Sequence, residues 1–279
     1  MSDSFFNDVT FMTIEKNAFL SIQRIFPCEK DLLEKIPLDH IVEYFQKDII
    51  PSSDPFMIRA VGQSGSGKSS QLVPALQYAL QKTPYIKINV GMFAQFHPNY
   101  ELWQQTDPDT VREKTNGFAL KALVLFYKYC LLKHVNVLLD MTLLESEIDL
   151  YLMTLAKKMD YKIQMHMLCV PKRISDLFIK LRQKETGRYV SSASSLYFFN
   201  ALAPSLKSLV HSKLFNKQDR LILWTHYLTY PVYKTHLNNP FALRVLGKYR
   251  RNFLRIKEPK TLLKAKKRWM KLFVELLDV

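Results

Sequence analysis

The sequence predicts an α/β protein: a three-layer α/β/α sandwich around a mainly parallel sheet, with helices before it and a basic helical extension after it. Three observations lead there. Apolar runs of strand length alternate with helical stretches of ten or more residues, the pattern of a parallel sheet covered on both faces. The 279 residues are 48% hydrophobic and include 18 Phe and 14 Tyr, enough to bury a full core. The charged fraction of 23% is ordinary for a globular chain, which sets disorder aside.

The elements follow in chain order. Residues 1–50 carry Leu32, Leu33, Ile36, Ile41, Val42, Phe45 and Ile49 at roughly helical spacing. The cluster Pro51-Ser52-Ser53-Asp54-Pro55 then breaks the chain. Phe56 to Val61 reads as a buried strand, and a helix from Lys68 to about Lys82 follows, with Pro74 in its first turns. Tyr85 to Val90 is the second expected strand. A polar loop holding Pro98 and Pro108 leads to a long helix from about Asp109 to Lys133. Val135 to Asp140 is a third strand ending in an acid, Glu147 to Met159 a helix, and Tyr161 to Val170 a fourth strand closed by Pro171. A helix from Lys172 to about Thr186 stops at Gly187, and Arg220 to Trp224 is a fifth strand. Beyond residue 240 the chain is helical, with Leu262, Ala265, Trp269, Leu272, Phe273 and Leu276 on one apolar face. The expected divisions are a helical segment over 1–54, a phosphate-binding domain over 55–239 and a basic extension over 240–279.

Between the first strand and its helix lies Gly62-Gln63-Ser64-Gly65-Ser66-Gly67-Lys68-Ser69, the strand–loop–helix pattern Gly-x-x-x-x-Gly-Lys-Ser. A polyphosphate needs many converging backbone N–H groups, which only a tight loop without Cβ obstruction presents. The helix behind it adds the positive end of its dipole. The chain has only 7 glycines, and three of them fall between 62 and 67, which argues against chance. The expected ligand is ATP or GTP with Mg²⁺, held by residues 62–69 and Ser70. Lys68 would reach the β- and γ-phosphates, and the Ser69 hydroxyl would ligate the metal. Asp140, at the carboxyl end of an apolar strand, is expected beside this loop, facing either metal or second substrate. Arg182 and Arg188 flank Gly187 and would bring positive charge to a migrating phosphoryl group.

Charge and cysteines bound the rest. The net charge is +15, of which residues 241–279 carry +9 (12 Lys/Arg against 3 Asp/Glu). That surplus favours anionic partners and leaves nucleic acid open as one of them. Cys28, Cys130 and Cys169 are too scattered for a metal site and suit a reducing compartment. No signal peptide opens the chain, and the most apolar run, Ala122 to Leu132, is too short to span a bilayer. The expectation is a cytoplasmic protein without a membrane span.

From Gly62 to about Leu206 the chain resembles the zeta toxin family of P-loop kinases. The resemblance is carried by the phosphate loop, by Phe93 with His97-Pro98-Asn99-Tyr100, and by Leu138 to Leu143. Val170-Pro171-Lys172 and the arginines 182 and 188 complete it. It implies a P-loop kinase-like fold and transfer of the ATP γ-phosphate to an amino-sugar hydroxyl of UDP-N-acetylglucosamine. It also implies an antitoxin-like protein partner. Lys68 matches the family's phosphate lysine, Arg182 and Arg188 its lid arginines, Asp140 a substrate-side glutamate, and Thr142 a threonine at the sugar-nucleotide pocket. Two positions depart. The family's catalytic aspartate falls at Gly91, with Asn89 where an earlier acid stands, and a pocket acid falls at Val124.

Three readings therefore stand side by side. The chain is a kinase acting on a small or nucleotide-linked acceptor, with Asp140, Asp107 or Asp109 replacing the missing base. Alternatively it is a degenerate nucleotide-binding module acting through partners, or a nucleic-acid-associated NTPase. His97 reads as a loop-fixing residue rather than a catalyst.

Overall fold

The computed structural model describes residues 9–26, 32, 35–143, 145–186, 190–224 and 231–251. Helix α1 (Val9–Ile25) buries Phe11, Ala18 and Ile22, whose spacing places them along one helical face. Helix α2 (Leu38–Tyr44) buries Ile41 and runs into a 3₁₀ turn at Gln46–Asp48. Then come β1 (Phe56–Val61), the phosphate-loop segment, and α3 (Val73–Ala79). Strand β2 is short (Ile86–Ile88) and gives way to a 3₁₀ stretch, Val90–Phe96. Helices α4 (Tyr100–Thr106) and α5 (Val111–Leu132) precede β3 (Val137–Asp140) and α6 (Ser146–Lys158). Strand β4 (Lys162–Leu168), helices α7 (Lys172–Thr186) and α8 (Ser192–His211), β5 (Arg220–Trp224), β6 (Pro231–His236) and α9 (Phe241–Arg251) complete the chain as described.

The six strands form one sheet in the order β2-β3-β1-β4-β5-β6. The first five are parallel, and β6 runs antiparallel to β5. Strand residues alternate between two packed layers, as a pleat buried on both sides requires. Met57, Val61, Val137, Leu139, Met165 and Met167 face the larger cluster, which also holds apolar side chains of α1, α5, α6 and α8. Ile58, Ala60, Leu138, Leu168 and Ile222 face the smaller one, with Leu72, Val73 and Leu76 around α3 and Ile174 of α7. The three-layer α/β/α architecture expected from the sequence is what the structure shows.

One charge sits inside this sheet. Arg59, at the centre of β1, is wholly buried and pairs with the equally buried Asp149 of α6. Its Nη2 also donates to the Thr142 carbonyl at 3.2 Å.

Several elements differ from the sequence expectation. Strand β2 ends at Ile88 because the chain coils at once to bury Phe93 among Phe45, Phe96 and Phe126. The loop before α5 contains a seven-residue helix, α4. Helix α8, in a stretch for which the sequence predicts no element, opens on the serines 191, 192, 194 and 195; the Ser191 Oγ accepts the Ser194 N–H at 3.1 Å and caps it. Antiparallel β6 has no alternating pattern strong enough to announce it. Among the described residues no helix is long and apolar enough to cross a membrane. The stripe from Leu262 to Leu276, Cys28, Gly187 and Arg188 lie outside the described residues.

Candidate active site

The loop from Gly62 to Ser69 leaves the carboxyl end of β1, a central strand, where open parallel sheets hold their ligands. The Ser66 N–H turns back to the Gln63 carbonyl at 3.1 Å, and the Gln71 N–H reaches the Gly67 carbonyl at 2.9 Å. The amides of Gly65, Gly67, Lys68 and Ser69 have no backbone acceptor among the described residues. Gly65 and Gly67 adopt φ of +74° and +92°, a conformation that a side chain resists. The helix behind the loop begins with a π turn, Lys68–Leu72, that runs directly into α3, and Pro74, which has no N–H to give the preceding turn, falls where the irregular turn ends. Open amides at the start of a helix form a concave anion site.

Lys68 and Asp140 meet at this site. Asp140 closes β3, where its Cα lies in register with Ala60 of β1, and its carboxylate accepts from the Lys68 ammonium. Both are shielded, with side-chain exposures of 16% for Lys68 and 6% for Asp140, so the pair works at low local dielectric. The sequence placed Asp140 beside the loop, and the register of β3 on β1 is the reason it is there.

The remaining predicted residues occupy distinct places. Gln63 is buried, and its Nε2 donates to the Val170 carbonyl at 2.6 Å and the Ser175 Oγ at 3.3 Å. A Cβ on Gly65 would lie 2.1 Å from the Ser175 carbonyl oxygen, so loop and α7 are in direct contact. Arg182 lies on α7, seven residues beyond Ser175, or about two turns. Lys68 and Asp140 bond each other, and neither bonds Arg182 or Thr142. Thr142 follows Asp140, with its carbonyl held by Arg59. Ser69 and Ser70 are exposed at the mouth of the loop, and Ser64 is half-buried.

Gly91 is exposed in the 3₁₀ stretch, and a Cβ there would meet only the Asn89 Oδ1, at 3.3 Å. Val124 is buried in the core. The His97 Nδ1 accepts the Asn99 N–H at 3.1 Å, and the ring packs on Trp103 and Phe118. It fixes its loop. Asp107 bonds the Thr110 hydroxyl and the Lys114 ammonium, which hold its carboxyl below the usual range. Sequence reasoning passed over Arg59 and Asp149. The available signal was a charge at the centre of a run otherwise apolar enough for a doubly covered strand.

A parallel sheet with this loop after a central strand and a lysine–carboxylate pair at its mouth defines a P-loop phosphotransferase. Within that class the chain belongs to the zeta toxin family, whose sequence model matches residues 41–227, well over half of it. Among solved structures, the PezAT chromosomal toxin-antitoxin system of Streptococcus pneumoniae is similar at 20% identity and a TM-score of 0.66. That match covers 88% of this chain and 97% of the other. The AvrRxo1-ORF1:AvrRxo1-ORF2 complex with ATP is similar at 14% identity and a TM-score of 0.50, covering 95% and 85%. Its native form gives 13% and 0.51, covering 89% and 88%. These likenesses are of fold. No curated protein matches the chain in sequence.

Proposed function

We propose that the chain transfers the γ-phosphoryl group of ATP, or of GTP, to a hydroxyl of a small or nucleotide-linked acceptor, with a UDP-amino sugar as the first candidate. The observation that carries this is the loop: the open amides of Gly65, Gly67, Lys68 and Ser69 beside an ammonium held on Asp140. A polyphosphate seated on those amides competes with Asp140 for Lys68. As the ammonium turns to the phosphates, the Asp140 carboxylate is freed to accept a hydrogen bond from the incoming hydroxyl.

The site also fits Mg²⁺. Among the described residues no cluster of three or more His, Cys, Asp or Glu could cage a metal. The exposed Ser69 hydroxyl at the loop mouth suits an ion that draws its other ligands from nucleotide and water. When bound, the ion supplies neutralisation of charge on the β- and γ-phosphate oxygens. Arg182, on a helix touching the loop, is assigned to the equatorial oxygens of the migrating group, with Arg188 as its companion. Thr142 is assigned to the acceptor side. The proposed divisions are the helical segment 1–54, the kinase domain 55–239 and the basic extension 240–279.

Gly91 leaves the family's base position without a carboxylate, which favours a second reading: a nucleotide-binding module that acts through a partner. A general base contributes roughly 10²–10⁴-fold. Phosphoryl transfer through a loose transition state draws little on it, so the low end applies. We place an antitoxin-like protein among the partners on the likeness to PezAT, a toxin-antitoxin system. The deciding experiment incubates the protein with γ-labelled ATP and UDP-amino sugars. Transfer of label supports the kinase; intact ATP binding with no transfer to any acceptor rejects it and leaves the module.

A further inference from the structure

We propose that Arg59 is a positioning residue that holds the connection after Asp140, and with it the acceptor side of the site, in place. The inference rests on assigning Asp140 and Thr142 to the acceptor. Arg59 lies mid-strand with no exposure, and its Nη2 serves two groups from different elements: the Thr142 carbonyl and the Asp149 carboxylate in the first turn of α6. One planar group thus joins β1, the residue two beyond Asp140, and the helix that the connection leads into. Its Nε and Nη1 have no hydrogen-bond partner among the described residues. A guanidinium buried with donors unused is a poor stabiliser, because desolvation offsets the ion pair, and apolar replacements of such pairs are often neutral or better. The gain lies in geometry, since the two N–H groups of Nη2 point in fixed directions within the guanidinium plane, toward two different elements.

The rest of the connection is held in the same manner. Glu145 accepts from the Tyr197 hydroxyl of α8 at 2.7 Å and pairs with Arg24 of α1 at 3.4 Å. Thr142 and Glu145 are therefore pinned from three elements, and Arg59 is the pin nearest Asp140. Without it, Asp140 remains tied to Lys68, but the backbone that follows loses the anchor that the Thr142 carbonyl makes to β1.

The test uses the full chain in two forms: Arg59→Lys, which keeps a cation opposite Asp149 but loses the fixed planar directions of the Nη2 donors, and the paired Arg59→Met/Asp149→Asn, which removes both charges. Hydrogen exchange is followed over 141–149 and over the strands β1 and β3, with melting temperature and Mg-ATP calorimetry alongside. The expected result is exchange over 141–149 at least about tenfold faster in both forms, with strand exchange and Mg-ATP heat unchanged. With UDP-N-acetylglucosamine as acceptor probe, its KM should rise about tenfold while the KM for ATP holds, since small misplacement of a bound group costs rate steeply. Unchanged exchange over 141–149 would overturn the proposal. So would a uniform rise across the sheet, or a parallel loss in both KM values, since each marks Arg59 as a core ion pair only. If the unaltered protein transfers no label, the kinase reading fails by itself, and the exchange result still decides whether Arg59 holds the connection.

Discussion

Lys68 is the residue on which the site turns. Its ammonium is the one charge the loop brings to the anion, and charge-assisted hydrogen bonds contribute about 1.5–3 kcal/mol each. Lys68→Ala should therefore weaken Mg-ATP binding by roughly 10–100-fold in calorimetry, and it should also lower the melting temperature, because Asp140 is left shielded and without its cation. Gly65 in the phosphate loop and Gly91 in the 3₁₀ stretch respond in opposite ways. Gly65→Ala forces a Cβ onto a helix carbonyl and strains a φ of +74°. It should cost at least about 1–2 kcal/mol in denaturant melts and abolish nucleotide heat. Gly91→Asp meets only a movable amide tip, so the fold should be unchanged. If the missing carboxylate limits the rate, label transfer should rise about 10²-fold. No change in rate would show that Asp140, or the acceptor itself, already handles the proton. Lys68 and Gly65 were legible from the sequence because loop chemistry is local, whereas Gly91 came into view only through the family resemblance. Arg59 was not legible, because its partners lie 83 and 90 residues away.

Among the elements, those set by local pattern were read correctly and those set by tertiary contact were not. Strands β1, β3 and β5 carry apolar runs that suit a doubly covered sheet, while β4 opens on the exposed Lys162 and Gln164 and is buried from Met165 onward. The 3₁₀ stretch 90–96 has no period to recognise; it exists because Phe93 and Phe96 close an aromatic cluster against α2 and α5. Likewise α8 contains Pro204 and a serine-rich start, so its helicity depends on Leu202, Leu206 and Leu209 being buried. Helix α1 shares the main core: Phe11 and Phe19 lie against Tyr151 of α6, whose hydroxyl bonds Glu15. Ile22 is buried in the same cluster, so Ile22→Ala should destabilise the whole chain by about 2–5 kcal/mol in a single cooperative transition. A separate early transition would instead mark α1 as an independently melting appendage.

The molecule as a whole is bound to pH through His166. This histidine is buried in β4, accepts the Trp224 indole N–H at 3.3 Å, lies 3.4 Å from Gln164 Oε1 and feels the charge of Lys234. Burial, then Lys234, lowers its pKa to about 3. The unfolded chain takes up a proton below about 6.5 while the folded chain does not. The stability contributed by neutral His166 is thus complete above that pH and is lost as pH falls toward 3, by about 1.4 kcal/mol per unit. Replacing His166 with Phe should flatten this slope in denaturant melts between pH 6.5 and 4, although the orphaned indole N–H lowers stability at neutral pH. The contact between the phosphate loop and α7 governs how such a chain can diverge. The atom that forbids a side chain at 65 belongs to the backbone of a helix, so no compensating change on α7 can make room. Selection can therefore remove nucleotide recognition at that point only by destroying it. A Cβ at Gly91 meets only the tip of the Asn89 side chain, so under the proposed kinase reading a carboxylate there could be lost, or restored, while the cradle is inherited intact.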